Sequence, residues 1–310
     1  TFFGKPAKEL TLTESALLAG LPEAPTTYSP FGSRPELAKQ RQLQVLRAML
    51  DEKYISKGEY EKTIKEPIKY KVLSNNIKAP HFVLYIKDLL IKKYGETAVE
   101  QGGLKVITSL DMKLQDSVQA SVASQLENLS YNGASVVTKP STGEILAMVG
   151  SKDYFDTAHD GNVNVTIAQR QPGSSIKPVN YATGLVKGYT AATPFIDQKI
   201  CFPNPGQAAY CPVNYDGKFR GVIQMRYALA NSINIPAVKM LKLNGIQSML
   251  DTANAMGIDS FGSADKYGLS LTLGGGEVTM LEMATAYGVF ANNGYKINLH
   301  PILKVTNGNG

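Results

Sequence analysis

Apolar residues recur at helical spacing through the first seventy positions, and helix-start and helix-stop residues bracket them. Thr11 with Glu14 forms a capping box, and Gly20 with Pro22 stops the helix that it opens. Ser33 and Pro35 open a longer helix with Leu43, Leu46 and Leu50 on one buried stripe, and Ser56 with Glu59 caps another. The polar run Ser74-Asn-Asn-Ile-Lys-Ala-Pro80 reads as a linker. Beyond it the pattern predicts a helix over 81–94, a short strand over 104–108 and a helix over 112–129. Strands follow over 134–138 and 144–149, around the turn Pro140-Ser-Thr-Gly143. Helical segments then dominate to Asn292, and Ile302-Leu-Lys-Val-Thr306 reads as a strand running into the hairpin turn Asn307-Gly-Asn-Gly310. Helices with a few antiparallel strands place the chain in the α+β class.

Candidate chemistry begins in Arg170-Gln-Pro-Gly-Ser-Ser-Ile-Lys-Pro178. Ser174 and Lys177 stand three residues apart, which on a helix is one face. Proline cannot donate to the carbonyl four residues back, so a regular helix containing Pro178 should begin near Ser174. There the Ser174 hydroxyl would feel the positive helix end, its own N–H would be free for a developing oxyanion, and Lys177 could reach the hydroxyl. A lysine acting as a base is neutral when it does so, and burial or neighbouring cations must bring its pKa down from about 10.4. Spacing alone leaves two readings, an active serine or a helix-capping serine. A second Ser-x-x-Lys, Ser263-Ala-Asp-Lys266, lies in what reads as a loop.

The segment Arg226-Tyr-Ala-Leu-Ala-Asn-Ser-Ile-Asn-Ile-Pro236 contains Ser232-Ile-Asn234. Its hydroxyl could relay a proton to a leaving amine, and its carboxamide could hold a peptide-like substrate. Ser74-Asn-Asn76 and Ser130-Tyr-Asn132 fit the same three-residue pattern, but both precede Ser174, so order favours Ser232.

Further segments accompany these: Gly102-Gly-Leu-Lys-Val-Ile-Thr-Ser-Leu-Asp111, Lys139-Pro-Ser-Thr-Gly-Glu-Ile-Leu-Ala-Met-Val-Gly150, Asn214-Tyr-Asp-Gly-Lys218, Leu273-Gly-Gly-Gly-Glu-Val278 and Ala286-Tyr-Gly-Val-Phe-Ala-Asn292. In this order the series resembles the class A penicillin-binding proteins, bifunctional cell-wall enzymes with glycosyltransferase and transpeptidase domains. Phe2-Phe-Gly-Lys5, Leu10-Thr-Leu-Thr-Glu-Ser-Ala-Leu-Leu-Ala-Gly-Leu-Pro-Glu-Ala-Pro25 and Tyr28-Ser-Pro30 are similar to the closing part of the family's glycosyltransferase. The resemblance implies a helical tail of a lysozyme-like glycosyltransferase domain at 1–72 and a linker or pedestal region at 73–131. Residues 132–310 would be the N-terminal part of a β-lactamase-like penicillin-binding transpeptidase domain, with an antiparallel sheet and helices.

On the family's pattern the catalytic glutamates of glycosyl transfer lie upstream, and Thr1 in place of an initiator methionine agrees with an internal start. The Lys-Thr/Ser-Gly segment of the transpeptidase would lie downstream; Lys93-Tyr-Gly95 and Lys266-Tyr-Gly268 are the nearest strings. The expectation is a fragment of impaired activity, because losing one oxyanion donor typically costs on the order of a hundredfold in rate.

For the parent protein the resemblance implies D,D-transpeptidation of peptidoglycan stem peptides. Ser174 would attack the carbonyl between two D-alanines, Lys177 would accept its proton, Ser232 would relay a proton to the departing D-alanine, and Asn234 would hold the donor peptide. β-Lactams would acylate Ser174. No cofactor is implied for this chemistry; a divalent metal and a lipid-linked precursor would belong to the glycosyltransferase. An upstream membrane helix would hold the parent at the extracytoplasmic or periplasmic face of the bacterial cell membrane. The rivals are a D,D-carboxypeptidase or β-lactamase of the same active-serine group and, from another class, a non-catalytic β-lactam sensor or cell-wall scaffold.

Composition changes this picture little. With 310 residues, 43% hydrophobic and 19% charged, the chain is long enough for two domains with real cores. A net charge of +6 is spread among lysines and glutamates without a compact basic cluster, which argues against nucleic acid as a partner. No run of about 18 apolar residues is present. Cys201 and Cys211 close a short Pro/Gly loop, and in an extracytoplasmic domain they are either a disulfide or two free thiols. His81, His159 and His300 lack metal-ligand spacing and read as surface or capping residues.

Overall fold

The computed structural model describes residues 3–24, 27, 28, 30, 36–68, 70, 77–129, 131–203, 206 and 208–307. The expected helix opening at Ser33 and Pro35, the linker residues 74–76, Ser130 and the turn residues 308–310 lie outside them. The chain forms two compact units, Thr1–Ile77 and Lys78–Gly310.

The first unit is helical. Its helices α1 (Leu12–Gly20), α2 (Glu36–Asp51) and α3 (Lys57–Thr63) follow from local signals. Thr11 Oγ1 accepts the Glu14 N–H at 3.3 Å while the Thr11 N–H donates to the Glu14 carboxylate at 2.8 Å, and Ser56 with Glu59 repeats the reciprocal pair. Pro22 follows α1 in a 3-10 turn, Leu21–Glu23. Ala16, Leu46 and Ile55 form the core. The buried stripe of α2 differs from expectation: Ala38, Gln42 and Leu46 lie deepest, and Leu43 and Leu50 are half-buried. Gln42 is satisfied there because its Nε2–H donates to the carbonyl of Thr13 at 2.7 Å, which joins α2 to α1.

The second unit opens with α4 (Pro80–Tyr94), α5 (Glu96–Gln101), β1 (Lys105–Thr108) and α6 (Met112–Gln125). The stretch expected as linker and pedestal joins this unit from Lys78 onward. Helix α6 stops before 126–129, where Leu129 N–H turns back to Leu126 O. Strands β2 (Ser135–Lys139) and β3 (Glu144–Val149) pair antiparallel, Ser135 opposite Val149. Ile145 and Met148 of β3 pack with Phe82, Ile86 and Leu90 of α4.

The helical lobe contains α7 (Lys177–Val186), β4 (Pro194–Asp197), β5 (Gly221–Gln224), α8 (Met225–Ala230), α9 (Asn234–Asn244), α10 (Ile246–Ala255) and α11 (Met280–Ala291). Sequence periodicity missed the β4–β5 pair, because four residues per strand are too few to establish a period of two. The final strand, β6 (Ile302–Thr306), pairs antiparallel with β1, Lys105 opposite Thr306. This partner is distant in sequence, and the turn expected after β6 runs outside the described residues.

Cys201 and Cys211 form a disulfide, and Phe202 and Tyr210 exchange backbone hydrogen bonds inside the loop it closes. His81 is buried, contrary to expectation. The Ser151 hydroxyl donates to Gly161 O at 2.6 Å and accepts from His81 Nε2 at 2.9 Å; burial holds the imidazole pKa below its ordinary value. His159 is exposed beside Asp156, and His300 is half-buried. Among the described residues no helix is long and apolar enough to cross a membrane.

Candidate active site

Gly173 has φ +58°, a left-handed conformation suited to glycine, and Gly173–Ile176 makes one turn of 3-10 helix before α7 begins at Lys177. The regular helix thus starts later than Pro178 suggests. Pro178 has no N–H to offer Ser174 O, and Lys177 N–H takes that carbonyl in a 3-10 bond. Ser174 stays exposed in the first turn, where backbone N–H groups have no helical acceptor.

A second stretch of backbone clamps this turn. Arg170 and Val278 exchange backbone bonds of 2.9 and 3.0 Å, and Tyr287 Oη donates to Ser175 O at 2.8 Å. Gly274, with φ +92°, comes so near that a Cβ on it would lie 2.4 Å from Gly173 Cα. The Gly-rich stretch after Leu273 is therefore the surface on which the Ser174 turn rests.

Lys177 is 1% exposed. Its Nζ donates to Ser232 O at 2.6 Å, Ser232 Oγ at 3.1 Å and Asn234 Oδ1 at 2.7 Å, which uses all three donors of an ammonium. Burial pushes its pKa down to about 8, while the three acceptors favour the charged form and oppose a larger fall. The structure thus brings Lys177, Ser232 and Asn234 together. Among the described residues no hydrogen bond joins Lys177 Nζ to Ser174 Oγ, because the amine is turned wholly to the other two residues.

Ser232 has φ +53°, a strained value for a residue with a Cβ. The reversal between α8 and α9 presents its carbonyl and hydroxyl to the same nitrogen, and Ile233 anchors it among Tyr181, Phe195, Ala228 and Met240. Asn234, the first residue of α9, also donates Nδ2–H to Val213 O at 2.8 Å, which leaves one N–H and one lone pair of its carboxamide for a substrate. Its backbone N–H is held by Asn214, a residue to which sequence reasoning assigned no role.

The alternative motifs lack such surroundings. Ser263 and Lys266 are both exposed at the 3-10 turn Ala264–Lys266, and Asn132 commits its carboxamide to Lys152 N–H and His159 O. A cavity of about 650 Å³ lined by Tyr131, Asp153, His159 and Arg170 includes none of the four predicted residues. Among the described residues no three His, Cys, Asp or Glu side chains converge into a group that could hold a metal ion.

Residues 133–307, which contain Ser174, Lys177, Ser232 and Asn234, match the family model of the penicillin binding protein transpeptidase domain, and residues 1–50 match that of the transglycosylases. The chain belongs to the class A penicillin-binding proteins. Penicillin-binding protein 2D of Bacillus subtilis is 36% identical over 318 residues, covering 100% of this chain and 45% of that protein. Penicillin-binding protein 1A of Aquifex aeolicus is 31% identical over 395 residues, covering 100% of this chain and 53% of that one. The crystal structure of penicillin-binding protein 1A from Haemophilus influenzae matches with a TM-score of 0.70 at 26% identity, over 100% of this chain and 60% of that chain. The chain thus spans about half the length of the curated relatives it matches. Membership of this penicillin-binding family implies acyl transfer by an active-site serine in peptidoglycan cross-linking.

Proposed function

We propose that this penicillin-binding protein is a D,D-transpeptidase with Ser174 as its nucleophile. The observation that carries the reading is the buried Lys177, one turn from Ser174, whose amine gathers Ser232 and Asn234 on one atom. Neutral Lys177 accepts the hydroxyl proton as Ser174 Oγ bonds to the carbonyl carbon between two D-alanines of a stem peptide. As the intermediate collapses the C–N bond breaks, Ser232 Oγ gives its proton to the departing D-alanine nitrogen, and Lys177 returns a proton to Ser232. The acyl group then passes to an amine of a neighbouring strand. Asn234 orients the donor peptide, and β-lactams enter the same path as mimics of the D-Ala-D-Ala terminus. The protein would work at the outer face of the bacterial cell membrane, beside a glycosyltransferase activity on lipid-linked precursor.

The test is fluorescent penicillin labelling of the full-length protein, with the adduct mapped by peptide mass spectrometry beside Ser174→Ala. An adduct on Ser174 that the substitution abolishes supports the acyl-enzyme. Its absence would favour the sensor or scaffold reading, for which the missing Lys177–Ser174 hydrogen bond would be the structural counterpart. With Lys177 as base, the labelling rate should climb through pH 8 and level above it.

A further inference from the structure

Helix α9 begins Asn234-Ile-Pro236 and cannot cap itself. Its N-cap, Ile233, has no side-chain acceptor, and Pro236 has no N–H, which leaves the amides of Asn234 and Ile235 to be satisfied. Both donate to one atom, Asn214 Oδ1, at 3.0 and 3.3 Å. Asn214 is 3% exposed and lies in the loop between β4 and β5. Its Nδ2 donates to Asp197 Oδ1 and Oδ2 at 2.9 and 3.0 Å and to Lys218 O at 2.7 Å.

Asp197, at the end of β4, is 0% exposed and also accepts the Arg220 N–H at 2.9 Å. A carboxylate only accepts, so the nitrogen of Asn214 must face Asp197 and its oxygen must face the helix. The reversed amide would set N–H against N–H and oxygen against carboxylate. Asp197 thereby fixes the orientation of the group that places the first residue of α9, and that residue holds Lys177.

We propose that Asn214, oriented by Asp197, is a positioning residue for the Lys177–Ser232–Asn234 cluster, an inference that rests on the reading of Lys177 as the base. Neither residue touches the reacting atoms. They act by fixing where α9 starts and so where Asn234 Oδ1 meets Lys177 Nζ.

The experiment compares the full-length protein with Asn214→Ala, with Asp197→Asn, and with the doubly substituted variant that carries Asp197→Asn and Asn214→Asp together. In that exchange the carboxamide introduced at position 197 donates to the carboxylate introduced at position 214, which still accepts from the helix but loses the bond to Lys218 O. Three readouts are taken: amide exchange at Asn234 and Ile235, the Lys177 titration by NMR of labelled lysine, and the pH profile of Ser174 acylation by penicillin.

In Asn214→Ala both amides should exchange about tenfold faster or more. Acylation should slow about tenfold, and the Lys177 midpoint should rise by roughly half a pH unit as water relieves its burial. Asp197→Asn should lie between this variant and the unsubstituted protein, and the exchanged pair should recover part of the amide protection lost in Asn214→Ala, short of the whole because its bond to Lys218 O is gone. If Asn214→Ala does not fold, the isosteric Asp197→Asn carries the same readouts.

Unchanged amide exchange would overturn the proposal. So would faster exchange with an unmoved Lys177 titration, which would make Asn214 a helix cap and nothing more. An unsubstituted protein that penicillin does not acylate would instead sink the transpeptidase reading, while the Lys177 titration would still decide the positioning role.

Discussion

Lys177 sets desolvation against hydrogen bonding in one side chain. Its folded pKa of about 8 lies below the value of about 10.4 for an unfolded chain. Between these values the unfolded state holds the extra proton, so stability rises with pH there, and below pH 8 the full cost of burial is present. Lys177→Met should therefore raise stability at pH 7 by on the order of 1–3 kcal/mol in urea unfolding, with the gain shrinking toward pH 10, and should abolish penicillin labelling. A loss of stability would show that the three hydrogen bonds outweigh desolvation. At Ser232 the left-handed backbone carries strain that Ser232→Gly relieves, by about 1 kcal/mol, while loss of the hydroxyl slows acylation about a hundredfold. Ser232→Ala should slow acylation as much without stabilising, and equal stabilities would refute the strain. Ser174 and Lys177 were legible in the sequence as a spacing; that the amine turns to Ser232 and Asn234 was not, because its acceptors arrive from beyond α8.

Among the elements, those whose bonds close within three residues could be read locally. The capping boxes of α1 and α3 are such cases, and the same signature, Thr279 with Glu282, opens α11 and was equally available. The turn before α7 is different, since its place depends on the Gly274 backbone lying against Gly173. Gly274→Ala should cost about 2 kcal/mol and cut acylation at least about tenfold, because both the Cβ and the positive φ are unfavourable. Gly268→Ala meets open space and should change neither quantity, so equal effects of the two would discount the clamp.

At the scale of the whole molecule, the two units each have a core of their own. Leu46→Ala empties a place in the first unit and should destabilise it by about 2–5 kcal/mol, detected by proteolysis, while Ser174 is still labelled by penicillin. Loss of labelling would show that the units are coupled. Replacing Cys201 and Cys211 together by serine should cost the second unit about 2–3 kcal/mol, the loop entropy that the link removes from the unfolded chain. Spacing left that link open between disulfide and free thiols, and the tertiary structure decides it by bringing the two sulfurs together. The sequence by itself determined the capped starts of α1 and α3, the β2–β3 hairpin and the order of the motifs that mark a penicillin-binding protein, all of which are properties of neighbouring residues. Tertiary structure alone decided the pairing of β1 with β6, the burial of His81 and Lys177, and the Asp197–Asn214 hold on α9. These depend on groups far apart in the chain, whose solvation and hydrogen-bond partners exist only once the fold has excluded water from between them.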